Sequence, residues 1–220
     1  MTDSSKFKTI CKNNKIYNLY LNYLIKEDRK KDIRLSKRMR GPFVEKYFPK
    51  NGIGAELGVY TGIFSRILLE NSSAKKLHLI DPWYFLTDEW DWSGGNPSTV
   101  DAVVNILKEF KPEINSGRVL VHIDDDLTVL RALPDQYFDW VYIDSSHEYE
   151  HTVKELELLQ FKVKENGLIA GDDWRPDPEH RHHGVYKAVK EFINLHHYDI
   201  LYADVDNLQW AIRKSSYNQP

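Results

Sequence analysis

The sequence predicts an α/β fold: a mostly parallel sheet with helices on both faces and an antiparallel hairpin at its C-terminal edge. Three observations carry the prediction. From Gly52 onward, short β-type apolar runs alternate with helical patterns, which is how parallel βαβ units read. The runs Val119–Ile123, Trp140–Ile143 and Leu168–Ala170 each give way to polar or acidic residues, as strands do where they open onto a ligand crevice. The last two runs stand too close for a crossover helix and must pair antiparallel.

Taken in order, Ile53–Val59 is the first strand and Gly62–Glu70 the helix that follows it. Leu77–Ile80 and Val100–Phe110 form the next strand and helix, separated by an irregular, aromatic-rich insert at Trp83–Ser98. Val119–Ile123, Trp140–Ile143 and Leu168–Ala170 continue the sheet, with helices over Leu127–Ala132 and His151–Lys162. Tyr186–Leu195 reads as a helix, and Ile200–Val205 with Leu208–Ile212 closes the sheet around Asp206-Asn207.

At 220 residues the chain accommodates one such domain and a small appendage. We expect a basic N-terminal helical cap over residues 1–50 and the α/β domain over 51–220. The first 50 residues carry 14 Lys and Arg against 5 Asp and Glu, and the rest carry 16 against 28. Tyr17, Tyr20, Tyr23, Phe43, Tyr47 and Phe48 recur at helix-like spacing, which argues for burial rather than a nucleic-acid grip. No apolar run approaches the roughly 18 residues of a membrane span. Met1–Lys15 lacks the apolar core of a secretory signal. Cys11 is the only cysteine, which excludes an internal disulfide and a cysteine zinc cluster. A cytoplasmic setting is expected, with a small-molecule partner rather than a membrane or nucleic acid. The N-terminal region is available for a contact between copies.

The first strand runs into Glu56-Leu57-Gly58-Val59-Tyr60-Thr61-Gly62. Glycines in such a turn let the backbone pass close to a nucleotide ligand. Asp81 closes the second strand 19 residues after Gly62, the place from which a carboxylate accepts from ribose hydroxyls. An NAD-binding domain uses the same geometry. Asp124, Asp125 and Asp126 follow the third strand.

An acid with glycines at the second and sixth positions after it, joined to an antiparallel last edge, resembles the class I S-adenosylmethionine-dependent methyltransferases, whose fold is Rossmann-like. Tyr60 stands where that family usually has a middle glycine. The resemblance implies S-adenosyl-L-methionine as cofactor. Glu56 would receive its amino group, Gly58, Tyr60 and Gly62 would form the turn beneath it, and Asp81 would hold the ribose. One of the three later acids, taken as Asp125, would lie near the adenine.

Asp144 ends the fourth strand in Ile143-Asp144-Ser145-Ser146-His147-Glu148-Tyr149, and Asp172-Asp173 follow the fifth, 28 residues further on. Neighbouring strand ends should bring these three carboxylates to one floor, where they repel and resist desolvation. A divalent cation relieves that cost, and oxygen ligands favour Mg²⁺, Mn²⁺ or Ca²⁺. The Asp-x-x-His and the acidic pair resemble metal-dependent O-methyltransferases, nearest those that methylate sugar hydroxyls of macrolides (the mycinamicin and macrocin type). The similarity spans Gly52–Ala170 and the acidic pair. It implies Asp144, Asp172 and Asp173 as metal ligands and His147 as general base, in methyl transfer to a hydroxyl of a small molecule or sugar. A cation acidifies such a hydroxyl, and a histidine removes its proton.

Three other functions compete. RNA ribose methylation would use the basic arm, although the Asn/Asp-Pro-Pro-aromatic motif of nucleobase amino-methylation is missing after the fourth strand. A metal-dependent hydrolase would leave Glu56, the glycines and Asp81 unexplained. A non-catalytic binding protein would keep the fold alone. His180, His182 and His183 form a loop expected to be solvated or to face the substrate, with a transition-metal site as the alternative. Trp83, Trp90 and Trp92 form either a lid over the acceptor or a packing surface.

Overall fold

The computed structural model describes residues 15–83 and 99–215, and the backbone alone for 15–26 and 28. Its sheet comprises β1 (Ile53–Leu57), β2 (Lys76–Asp81), β3 (Val119–Ile123), β4 (Phe138–Ile143), β5 (Val163–Gly171), β6 (Tyr198–Ala203) and β7 (Trp210–Lys214). The strands lie in the order β3-β2-β1-β4-β5-β7-β6. The first five run parallel, and β7 lies antiparallel between β5 and β6. The helices are α1 (Lys15–Tyr47), α2 (Ile63–Asn71), α3 (Thr99–Glu109), α4 (Lys111–Asn115), α5 (Asp126–Ala132), α6 (Tyr149–Lys162) and α7 (His183–His196). This is the expected Rossmann-like sheet with its antiparallel edge. Strand order reverses between β1 and β4, which places the ligand crevice at their carboxyl ends.

Side-chain alternation along β4 builds both layers. Trp140 and Tyr142 face a core shared with Phe43, Phe64, Leu68 and Ile106 of α1, α2 and α3. Val141 and Ile143 face the other, with Leu130, Leu156 and Val189 of α5, α6 and α7. The end of α1 and the residue after it are therefore seated in the sheet's own core: Phe43, Val44 and Phe48 are buried there, and Phe43 and Tyr47 pack on Tyr202 of β6. The side chains of Tyr17, Tyr20 and Tyr23 lie outside the described residues, as do Cys11, Trp90 and Trp92. No described helix is long and apolar enough to cross a membrane.

Three differences from the sequence expectation have local causes. β5 starts at Val163 rather than Leu168: Val163 pairs with Phe138, the register shifts before Trp140 meets Leu168, and in the polar stretch between them Lys164 meets Asp139 and Glu165 meets Lys214. α4, not expected, is one turn opened by Pro112, a residue suited to a helix start. The β6–β7 loop is longer than Asp206-Asn207, since Asp204 Oδ1 accepts from the amides of both, at 2.8 and 3.1 Å, and folds the chain around itself.

Candidate active site

A cavity of about 590 Å³ opens at the carboxyl ends of the central strands, lined by Glu56, Gly58, Tyr60, Asp81, Asp125, Asp144 and His147, among others. Its size suits a nucleotide-sized ligand. Leu35, Met39 and Arg40 of α1 form one of its walls.

The turn after β1 is tightly determined. A Cβ on Gly58 would stand 2.0 Å from the Asp144 carbonyl oxygen, in a left-handed backbone with φ +81. The glycine thus makes room for the loop after β4, whereas the sequence suggested that it makes room for the ligand. Tyr60 is also left-handed, with φ 46, which explains why glycine suits this position. The amides of Val59 and Tyr60 donate to Asp81 Oδ2 at 2.8 and 2.9 Å. Asp81 Oδ1 is buried and, among the described residues, has no hydrogen-bond partner. Burial pushes this carboxyl above its usual range, against the two amides. A buried acceptor without a donor is costly, and a ribose hydroxyl would satisfy it.

Gly62 opens α2. Glu56 is buried, accepts from Ser65 Oγ at 2.5 Å, and is pushed well above the usual carboxyl range by desolvation. Asp125 is the N-cap of α5, its Oδ1 accepting from the Thr128 amide at 3.1 Å. Asp126 turns instead to His151.

At the acidic floor beside the cavity, the three strand-end carboxylates take different partners, and of the three Asp144 alone lines the cavity itself. Arg40 reaches from α1 across the Phe64 ring and bridges Asp172 Oδ2 at 2.5 Å and Asp144 Oδ2 at 3.3 Å. Gln209 Nε2 donates to the other Asp172 oxygen at 2.7 Å, and its own Oε1 accepts from Tyr142. Burial and the neighbouring Asp144 push Asp172 up to about 7, with Arg40 opposing them.

Asp173 faces away from this pair. Its Oδ2 lies 2.7 Å from His147 Nδ1 and 2.8 Å from His182 Nδ1, and its Oδ1 accepts from Arg175 Nε at 2.8 Å. Burial alone would raise the Asp173 carboxyl, but His147 and Arg175 outweigh it and hold it well below the usual range. The two imidazoles stack with centroids 4.5 Å apart. Burial lowers His147, yet the Asp173 hydrogen bond and the charges of Asp144, Asp173 and Asp172 overcome that and raise it. His182 is lowered, because its burial dominates.

Arg40, His182 and Gln209 are site residues that the sequence did not assign. His182 had a signal, the histidine cluster after the acidic pair; Arg40 was one basic residue among many, and Gln209 had none. His183 donates to or accepts from no ring in the pair but contacts the Arg175 carbonyl at 2.9 Å. Trp83 is buried in the core and donates to the Tyr60 carbonyl at 2.9 Å, so it packs rather than forming a lid.

The sequence pattern of a methyltransferase domain matches residues 53–174. No curated protein sequence matches the chain. Among solved structures, a protein described as a type 11 methyltransferase from Sulfolobus solfataricus is 18% identical, with TM-score 0.51 over 78% of this chain and 89% of that one. The S-adenosylhomocysteine-bound Podospora anserina methyltransferase PaMTH1 is 17% identical, with TM-score 0.51 over 74% and 72%. Spermidine synthase from Thermotoga maritima is 16% identical, with TM-score 0.53 over 82% and 58%. At these identities the likeness is one of fold, and the fold hosts more than one named activity. The sequence pattern, which covers more than half of the chain, decides between them: the protein belongs to the methyltransferase-domain family and is an S-adenosylmethionine-dependent methyltransferase.

Proposed function

We propose that the chain methylates a hydroxyl group of a small molecule or sugar, with His147 as the general base. The observation that carries this reading is the His147–Asp173 hydrogen bond at the cavity wall. Asp173 accepts from Nδ1, which leaves Nε2 as the nitrogen able to take a proton. S-adenosylmethionine, when bound, supplies the sulfonium methyl group. The orphaned Asp81 oxygen fits its ribose, Glu56 would receive its amino group, and Asp125 would stand near its adenine. Asp173 positions the imidazole and favours its charged form as the proton arrives.

A divalent cation, when bound, would acidify the acceptor hydroxyl. Asp144 and Asp172 are the carboxylates that would hold such an ion, which would have to displace the Arg40 guanidinium that bridges them. Two carboxylates with water suffice for Mg²⁺ or Mn²⁺. Asp173, also expected as a ligand, is occupied by two imidazoles and Arg175, so we assign it first to His147 and to the metal only where it gives up a partner. α1 caps the cavity and closes the site over the acceptor.

The test is methyl transfer from labelled S-adenosylmethionine to a panel of sugar, phenolic and aliphatic hydroxyl acceptors. His147→Ala should slow turnover by roughly 10²–10⁴-fold, and excess EDTA should abolish it. Transfer only to amines or carboxylates would overturn the hydroxyl reading. Undiminished turnover by the His147 variant would remove the base, and full activity in EDTA would remove the metal.

A further inference from the structure

A second polar cluster lies where α5 meets α6. Asp126 opens α5, while His151 and Glu155 stand one turn apart on α6 and share a face. His151 Nε2 lies 2.9 and 3.1 Å from the two Asp126 oxygens and 3.8 Å from Glu155 Oε1. One donor atom from each of the three residues falls within 4.8 Å of the others. Asp126 and Glu155 are 4% and 0% exposed. Among the described residues their only ion-pair partner is His151.

Two buried carboxylates face one imidazole, and buried charge is costly unless compensated. Burial and the neighbouring Asp126 hold Glu155 well above the usual carboxyl range, so an ion entering here would take the place of a proton. Ser145 Oγ donates to Glu155 Oε1 at 2.6 Å. Glu155 Oε2 is buried and, among the described residues, has no hydrogen-bond partner. The cluster therefore holds a buried carboxylate oxygen without a partner, beside two further donor groups. Asp126 and His151 also line the cavity, which gives an ion a way in.

We propose that Asp126, His151 and Glu155 form a binding site for a divalent transition-metal ion, separate from the acidic floor. Bonds of about 2.1 Å at tetrahedral or octahedral angles put donor atoms roughly 3.0–3.4 Å apart. The separations of 2.9 to 3.8 Å around His151 bracket that range. One imidazole nitrogen and two carboxylates suit Mn²⁺, Fe²⁺, Co²⁺ or Zn²⁺ better than Mg²⁺. Such an ion would clasp α5 to α6 and stabilise the folded state by binding it alone. The site does not depend on the methyl-transfer reading.

The experiment uses the full chain, stripped with chelator and titrated with Mn²⁺, with the free ion followed by electron paramagnetic resonance. Pulsed measurements on the bound ion detect a directly coordinated nitrogen. Wild type is compared with the floor variant Asp144→Asn/Asp172→Asn, with His151→Ala and with Glu155→Gln, each checked for folding by circular dichroism. One equivalent with bound nitrogen should survive in the floor variant and lose roughly tenfold or more in affinity in the other two. Should Glu155→Gln fail to fold, the partly exposed His151 still carries the comparison. Wild-type stoichiometry and affinity in His151→Ala would overturn the site, as would loss of all bound Mn²⁺ in a folded floor variant. Loss of a second equivalent in that variant alone reports on the floor, so the two readings fail separately.

Discussion

His147 and Asp173 meet at 2.7 Å, and both hold a left-handed backbone with φ 61. For non-glycine residues that conformation costs roughly 1–2 kcal/mol each, so the surrounding structure must enforce it. The pH dependence follows from the pair. Only neutral imidazole accepts a proton, and Asp173 raises the His147 pKa despite its burial. Turnover should therefore rise with pH through a value above the ordinary 6.5 of histidine. Asp173→Asn removes its hydrogen bond to the charged imidazole and its charge, leaving burial opposed by Asp144 and Asp172 alone, so the rise should move to lower pH while the plateau rate falls. A pH–rate profile in which that variant keeps the wild-type midpoint would deny Asp173 its positioning role. Gly58 carries a second prediction at this scale. Gly58→Ala drives a Cβ against the Asp144 carbonyl, and it should lower thermal stability by more than the ~1 kcal/mol that left-handed backbone alone costs. A melting temperature within a degree of wild type would contradict this.

Among the elements, α1 contributes most that the sequence concealed. Of the aromatics whose spacing announced burial, Phe43 and Phe48 are buried and Tyr47 packs against the same core. Arg40 was illegible, because its partners Asp144 and Asp172 lie more than 100 residues away in sequence. The strand-end acids show the same limit more finely. That Asp144, Asp172 and Asp173 would gather near the crevice was readable from the strand–helix alternation. That neighbours Asp172 and Asp173 would serve different partners was not, because Asp173 lies past the end of β5 in a left-handed backbone that no sequence pattern announced. The early part of β5 escaped for another reason: Lys164, Glu165 and Asn166 are polar and exposed, and they sit in the register shift between the Val163–Phe138 and Leu168–Trp140 pairs. Arg40 yields a prediction at this scale. Arg40→Ala removes the cation between Asp144 and Asp172, and calorimetry should show Mg²⁺ binding tightened about tenfold or more. Unchanged or weakened Mg²⁺ binding would mean that the guanidinium and the metal do not share a place.

The whole molecule joins two cores through one sheet and leaves its cavity where strand order reverses between β1 and β4. Most of what was assigned to the cofactor lines it from separate elements: Glu56, Gly58 and Tyr60 from the end of β1 and its turn, Asp81 from β2, Asp125 from the start of α5, whereas Gly62 faces Ile106 and does not line it. Of these, the buried and unpartnered Asp81 oxygen makes the most specific demand for a hydroxyl donor. Calorimetric titration with S-adenosylhomocysteine therefore tests the central claim most directly. Wild type should bind one equivalent and Asp81→Asn should bind roughly 10–100-fold more weakly, the worth of hydrogen bonds to a charged acceptor. Absence of S-adenosylhomocysteine binding, or equal binding of NAD, would contradict the account.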